Sequence, residues 1–203
     1  MIGIINYGMG NLASVRNALD HLSITCKIVS SPAELRDMDK IILPGVGAFG
    51  MAMENLDSTG FSEEIRELVL VKKKPLLGIC LGMQLLLQRS VEHGEHNGLS
   101  IVNGDVLFFG DVISNQPIPH MGWNDVEHKK NSILYAGIEE KSSYYFVHSY
   151  YCKLSDKEDV AGSTNYGIDF DSSIEAGHIF GCQFHPEKSQ KNGLNIFRNF
   201  NLF

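Results

Sequence analysis

Residues 75–84, Pro-Leu-Leu-Gly-Ile-Cys-Leu-Gly-Met-Gln, constrain this chain more tightly than any other stretch. An apolar strand pattern breaks at Gly78 and Gly82, two residues either side of Cys80, and continues as an apolar helix. The nucleophile of a strand-to-helix elbow sits on a strained corner that a neighbouring Cβ would crowd, so small residues must flank it. Sulfur stands here where other elbows carry a hydroxyl. The unpaired N–H groups and the dipole of the helix start stabilise a thiolate at that place. The run therefore predicts a nucleophile and part of its activation.

A cysteine nucleophile needs a base, and Gln183-Phe184-His185-Pro186-Glu187 offers a histidine with a carboxylate two residues on. His185 takes the thiol proton and returns it to the leaving group, while Glu187 fixes the imidazole tautomer and stabilises the imidazolium. Pro186 restricts the backbone between them. A third need is an oxyanion hole. The apolar run Ile41 to Leu43 leads into Pro44-Gly45-Val46-Gly47, where backbone N–H groups of Gly45, Val46 and Gly47 can join the Leu81 N–H in holding a tetrahedral oxyanion. Such donors are often worth about 3 kcal/mol of transition-state stabilisation.

Read for organisation, the first half alternates short apolar runs with amphipathic stretches: Ile2 to Asn6, Leu12 to Leu22, Lys27 to Val29, Lys40 to Leu43, Phe61 to Val71 and Leu76 to Cys80. This βαβα pattern predicts a mostly parallel central sheet with helices on both faces. Beyond about residue 97 the pattern changes to strands and turns, at Leu99 to Val102, Val106 to Phe109, Tyr144 to Tyr151 and Ile179 to Phe184, with a final helix from about Lys191. These are expected to add antiparallel extensions to the same sheet, giving one α/β domain. In open α/β sheets ligands bind beyond the carboxyl ends of the strands, which is where all three candidate segments fall.

Composition narrows the function classes. With 203 residues and 43% hydrophobic content, the chain has the length of one domain with a substantial core. A net charge of −7 argues against nucleic acid or anionic membrane as the main partner. No run approaches the roughly 18 apolar residues of a membrane span, and no cleavable leader pattern opens the chain. The cytoplasm is the expected compartment. Cysteines 26, 80, 152 and 182 show no paired spacing, so free thiols are expected rather than disulfides or a metal site, with Cys26, Cys152 and Cys182 read as small buried hydrophobes. Gly8-Met9-Gly10-Asn11-Leu12-Ala13 matches a dinucleotide-binding fingerprint, but no acidic residue ends the second strand to hold a ribose, so a tight turn is expected instead. His93, His96 and His128 read as solvated loop residues, and His120 and His148 as structural ones.

Taken together, Pro44 to Gly47, Gly78 to Gln84 and Gln183 to Ser189, in this order and spacing, resemble the class I, triad-type glutamine amidotransferases. Within that class, Asn-Tyr-Gly-Met-Gly-Asn at 6–11, Pro-His-Met-Gly-Trp-Asn at 119–124 and Tyr-Phe-Val-His-Ser-Tyr at 145–150 are similar to the glutaminase subunits of imidazole glycerol phosphate synthases. The resemblance covers essentially the whole chain and implies one amidotransferase domain over residues 1–203. It implies thiolate attack on the side-chain amide of L-glutamine, release of ammonia and hydrolysis of a γ-glutamyl thioester, with no cofactor and no metal. Gln84 and Glu92 would hold the substrate, Glu92 pairing with its α-ammonium, while Gly47, Ser149 and Tyr150 give backbone contacts.

Ammonia released to water at neutral pH would mostly protonate, so a sheltered route to a second active site is expected. The glutaminase fold accounts for nearly all of the chain, which implies a separate synthase subunit. For this family that subunit is a (β/α)8-barrel cyclase, joined as a heterodimer and serving histidine biosynthesis. Trp123, read as lying in a Gly-flanked loop, would anchor the interface against a partner arginine, and Asn11 and Lys188 would face the same partner. Such subunits are nearly silent until the partner's substrate binds, because the loop from Gly45 to Gly47 is not set at rest. Two alternatives are a related subunit feeding a surface-sugar amidotransferase, favoured by Gln190 where a small residue is expected, and an inactive scaffold of the same fold, disfavoured by the intact triad. A cysteine peptidase would need a groove for an extended peptide that nothing in the sequence suggests.

Overall fold

The apolar runs of the first half form the strands they predict. The computed structural model describes residues 1–129 and 131–203. In chain order it builds β1 (Ile2–Ile5), α1 (Leu12–His21), β2 (Cys26–Val29), α2 (Pro32–Arg36), β3 (Lys40–Gly45), α3 (Phe49–Ser58), α4 (Phe61–Arg66), β4 (Leu76–Cys80) and α5 (Leu81–Leu85). Local chemistry sets the helix starts: the Asn11 side chain accepts the Ser14 N–H at the head of α1, and Ser31 with Pro32 opens α2. Strands β2, β1, β3 and β4 lie side by side, all parallel.

Their side chains alternate between two cores. Ile2 and Ile4 of β1, Ile42 of β3, and Leu77 and Ile79 of β4 pack with Val15 and Leu19 of α1. Ile5, Ile41, Leu43 and Leu76 point the other way, toward Phe49, Leu56, Phe61 and Ile65. A strand buried on both faces reads as a near-continuous apolar run, which is why the sequence shows β1, β3 and β4 so clearly, whereas edge strand β2 keeps Lys27 exposed.

The second half supplies β5 (Arg89–Ser90), β6 (His96–Asn97), β7 (Gly104–Phe108), β8 (His120–His128), β9 (Lys141–His148), β10 (Tyr150–Leu154), β11 (Val160–Asn165), β12 (Asp169–Ala176), β13 (Ile179–Cys182) and α6 (Gln190–Leu202). Among the described residues the sheet runs β2-β1-β3-β4-β13-β12-β10-β7-β5-β6, with β11 joining β12 to the β8–β9 ribbon. β13 is parallel to β4, and antiparallel pairing begins beyond it. The predicted parallel core with antiparallel extensions is the observed architecture. α6 covers the same face as α1, through Ile196, Phe197 and Phe200.

Two expected strands differ. Leu99 to Val102 is a loop: the N–H groups of these four residues bond the carbonyls of Leu85, Leu86 and Leu87 at 2.8–3.1 Å, closing the end of α5. Its apolar residues signal burial of Leu99 and Val102, not a ladder. The run from Tyr144 to Tyr151 is two strands, broken at Ser149, whose carbonyl accepts the Phe109 N–H at 3.1 Å. Strands β11 and β12 escape hydropathy because several of their buried groups are polar, each with a partner inside the protein. Thr164 donates to Ser172 at 2.9 Å, and Asp171 accepts from the Leu154 N–H at 2.8 Å and from Lys157 at 2.8 Å.

The glycines flanking Cys80 are required by packing. A Cβ on Gly82 would stand 1.8 Å from the Leu43 carbonyl oxygen, and one on Gly78 would stand 2.7 Å from the Gly82 carbonyl oxygen. Backbone on both sides leaves nothing to yield. Gly82→Ala is therefore expected to cost about 3 kcal/mol or more, and a melting temperature within 2 °C of wild type, roughly the error of such a scan, would contradict this packing.

Candidate active site

Three adjacent parallel strands, β3, β4 and β13, deliver the candidate residues to one end of the sheet. Gly45 pairs with Cys80, and Cys182 pairs with Ile79, so the three chains leave the sheet at the same level. Cys80 heads α5 in a positive-φ conformation, φ 54° and ψ −111°. For a residue with a side chain this is a strained geometry, held by the surrounding packing. Cys80 is 6% exposed.

After β13 the chain crosses back over Cys80. His185 is fixed by its N–H bond to the Tyr145 carbonyl at 2.9 Å and by Ser189, whose hydroxyl donates to the His185 carbonyl at 2.6 Å. Nδ1 of His185 donates to Glu187 at 2.8 Å, both side chains being almost wholly buried. That bond assigns the tautomer and leaves Nε2 without a hydrogen-bond partner of its own. Burial opposes charge on this imidazole, but the Cys80 thiolate and the Glu187 carboxylate outweigh it and raise its pKa to about 10. Nε2 of His185 is thus the atom left to exchange a proton with the Cys80 sulfur, which lines the same cavity.

Cys80 and His185 open into a cavity of about 570 Å³. Val46, Gly47, Leu81, Gln84, Glu92, Ser149 and Tyr150 line it, so these predicted residues come together, with Gly45 one residue behind at the end of β3. Gly47 takes φ +101°, where a Cβ would strike Met9 at 2.7 Å. Glu92 accepts the Phe49 N–H at 2.6 Å and so caps α3, which has no side-chain cap of its own. Both donors of Gln84 are used inside the protein, to the Tyr150 carbonyl at 3.1 Å and to Gln183 at 3.0 Å. Its carbonyl oxygen is what remains for a ligand.

Two residues of the site escape the sequence reading. Gln183, fully buried, accepts from Gln84 and donates to the Cys80 sulfur at 3.8 Å. The signal was its place two residues before His185 in an extended segment, which puts both on one side of the chain. Tyr7 places a buried, unpartnered hydroxyl 2.7 Å from where a Gly45 Cβ would stand. Burial first, and the nearby Cys80 charge second, push that phenol well above the ordinary range. No sequence pattern singles it out.

The candidate partner-facing residues occupy other positions. Trp123 lies in β8, not in a loop, and is 51% exposed, which excludes a core role. Its ring meets Tyr145 edge-on at 6.2 Å, and the Lys188 ammonium sits 5.7 Å from the Tyr145 ring centre. Asn11 spends its side-chain oxygen on the α1 cap. The turn at Gly8-Met9-Gly10 packs beside the end of β3, and its glycines serve the backbone, with φ +90° at Gly8 and +131° at Gly10. His128 is a correction: it is buried, stacked on Tyr135 at 4.3 Å and bonded to the Glu139 carbonyl at 2.6 Å, not solvated. Cys26 is half-buried at the start of β2, whereas Cys152 and Cys182 are fully buried. Among the described residues no group of three or more His, Cys, Asp or Glu is arranged to hold a metal.

Comparison with known proteins gives this geometry a family. The glutamine amidotransferase class-I model matches residues 3–202. The chain belongs to the class I glutamine amidotransferases. Imidazole glycerol phosphate synthase subunit HisH 1 of Campylobacter jejuni is 49% identical over 200 residues, covering 98% of each chain. Imidazole glycerol phosphate synthase subunit HisH of Chlorobaculum tepidum is 48% identical over 204 residues, covering both chains completely. Among solved structures, a glutamine amidotransferase superposes with TM-score 0.77 at 20% identity, covering 98% of this chain and 96% of the other, and establishes the shared fold. PurLQS from Thermotoga maritima does so with TM-score 0.76 at 19% identity over the same shares.

Two outcomes follow for this amidotransferase. Glu187→Gln keeps the shape but removes the charge that orients and sustains the imidazolium, so kcat is expected to fall roughly 100-fold or more in a glutamate-release assay, with little change in melting temperature. Away from Glu187, burial holds His120 neutral down to about pH 4 and His148 to about pH 3. The unfolded chain therefore binds more protons at these two positions below pH 6.5, and stability rises with pH across that window, by up to about 1.4 kcal/mol per pH unit for each histidine. His120→Gln is expected to lessen the fall in melting temperature between pH 6.5 and 4.5, and an unchanged slope would refute this assignment.

Proposed function

We propose that the Cys80–His185–Glu187 site hydrolyses the side-chain amide of L-glutamine and that the ammonia passes to a partner synthase. Cys80 attacks the amide carbon, the oxyanion is held by N–H groups of the Gly45 to Gly47 loop and Leu81, and His185 gives its proton to departing ammonia. Water, deprotonated by His185, then cleaves the γ-glutamyl thioester to glutamate and restores the thiol. Gln84 receives an N–H of the substrate amide on its free carbonyl, and Glu92 pairs with the α-ammonium. Ser149 and Tyr150 supply the facing wall. The observation that carries this reading is the His185 imidazole, bonded to Glu187 through Nδ1 and left with Nε2 unpartnered in the cavity that Cys80 also lines.

The chain is the glutaminase subunit of an imidazole glycerol phosphate synthase, an amidotransferase of histidine biosynthesis. Full-length relatives at 46–49% identity all bear that subunit name. Its partner is the (β/α)8-barrel cyclase subunit, in a heterodimer. Supporting this docking, exposed Met121 and Trp123 stand on β8 beside Tyr145 and Lys188, an aromatic and cationic face of the kind found at the centre of interfaces. Asn11 lies on the turn that packs against the oxyanion loop. Four free thiols and the absence of any helix, among the described residues, long and apolar enough to cross a membrane fit a cytoplasmic complex.

The test is glutamate release from glutamine by the purified chain alone, then with the cyclase subunit and its ribulosyl substrate. Stimulation of at least tenfold that disappears in Cys80→Ala is expected. Activity indifferent to that cyclase would move the partner to a surface-sugar amidotransferase, and inactivity throughout would leave a scaffold. Trp123→Ala is expected to weaken binding to the cyclase subunit about 30-fold, the effect of losing one aromatic anchor worth roughly 2 kcal/mol, without altering the folded monomer's circular dichroism.

A further inference from the structure

A hydrogen-bonded chain of side chains reaches the cavity at the Tyr150 carbonyl. The Tyr150 carbonyl can only accept, so His148, 2.7 Å away through Nδ1, donates to it. His148 Nε2 is then an acceptor, and it receives Nδ1–H of His120 at 2.9 Å. His120 Nε2 is an acceptor in turn, facing the Asn124 amide nitrogen at 3.1 Å. The amide orientation of Asn124 is fixed independently: its oxygen accepts the Asp125 N–H at 2.8 Å, and its nitrogen also donates to the Asn165 carbonyl at 2.9 Å. One proton arrangement satisfies every member, with both imidazoles neutral and every N–H pointing toward Tyr150. Protonating either ring would set two donors face to face.

The rings have no freedom to leave this arrangement. His120 is stacked between Phe146 at 4.7 Å and Tyr166 at 4.0 Å, and His148 packs on Phe109 at 5.4 Å. Burial keeps both neutral through the physiological range. At its inner end the chain meets a second one. The same Tyr150 carbonyl accepts from Gln84, which reaches Gln183 and through it the Cys80 sulfur. Two donors thus hold one carbonyl, one from the nucleophile's side and one from His148. That carbonyl belongs to the corner between β9 and β10, where Val147 to Tyr150 line the cavity.

We propose that His148, oriented by His120 and Asn124, is a positioning residue that fixes the Ser149–Tyr150 wall against which glutamine binds. The proposal rests on the reading of this cavity as the glutamine site. Without the Nδ1–H donor the Tyr150 carbonyl keeps one of its two bonds and the corner turns on it, loosening the wall while the nucleophile and its base stay in place. The consequence falls on substrate binding and not on the chemical step.

The experiment compares His148→Phe, which fills the ring's volume without a donor, with His148→Asn, whose amide nitrogen stands near the place of Nδ1. Glutamine KM and kcat are measured in the complete complex with the cyclase, and glutamine binding by calorimetry in the Cys80→Ala background. His148→Phe is expected to raise KM and Kd about tenfold or more with kcat within threefold of wild type, while His148→Asn returns both to within threefold. Asn124→Ala, at the half-exposed end, opens no cavity in the core and is expected to raise KM two- to fivefold, which keeps the test open should His148→Phe fail to fold. Unchanged KM in both His148→Phe and Asn124→Ala, or equal losses in the Phe and Asn variants, overturns the positioning role alone. Failure of the wild-type complex to bind glutamine overturns the reading of the cavity and the proposal with it.

Discussion

The contact between Gly82 and the Leu43 carbonyl is the constraint on which the rest of the site depends. The first turn of α5 lies directly on β3, with no room for a Cβ between them. That approach lets Cys80 turn out of β4 at positive φ and still lie opposite Gly45, the last residue of the neighbouring strand. A bulkier residue at 82 would lift the helix, and with it the proposed nucleophile, from the loop proposed to hold the oxyanion. The strain at Cys80 is sustained by a core buried on both faces of the sheet, where displacing one strand disturbs two layers at once.

A second consequence of this packing is electrostatic. Sulfur, imidazole and carboxylate are buried together, and burial alone would discharge the imidazole. Cys80 and Glu187 reverse that outcome for His185, while His120 and His148, which lack a carboxylate at hydrogen-bond distance, stay neutral. One pocket therefore contains histidines of opposite charge state, separated by their partners and not by their exposure. The neutral pair can accept and donate in sequence along a chain, and the charged one can give up a proton.

Sequence alone made the elbow, the triad segments and the parallel core legible, because each is written locally: glycines at fixed offsets, a histidine and a glutamate around a proline, apolar runs buried on both faces. What it hid is non-local or polar. Gln183 bridges Gln84 and Cys80 across about a hundred positions of sequence, a separation of 99 to one and 103 to the other, and no offset announces that. β11 and β12 bury Thr164, Asp171, Ser172 and Ser173, polar groups that find their partners inside the protein and so weaken the hydropathy signal. Leu99 to Val102 misleads in the opposite sense, its apolar side chains being buried while its backbone closes a helix. His128 reads as polar and is stacked in the core.

The loop after β3 shows how these layers of information join. Met9 stands over Gly47, and Gly10 stands against Pro44, so the turn that follows β1 forms one wall of the loop proposed to hold the oxyanion. Asn11, the next residue, is committed to the α1 cap, which ties that wall to a helix spanning the sheet's face. Below the loop, the Tyr7 hydroxyl lies buried beside Gly45 without a partner. A buried donor left unpaired is costly and favours any rearrangement that brings an acceptor to it. The proposed oxyanion loop thus stands between a fixed wall on one side and an unsatisfied donor on the other, so a modest change in either is felt first at the peptide groups that would face the reacting carbonyl.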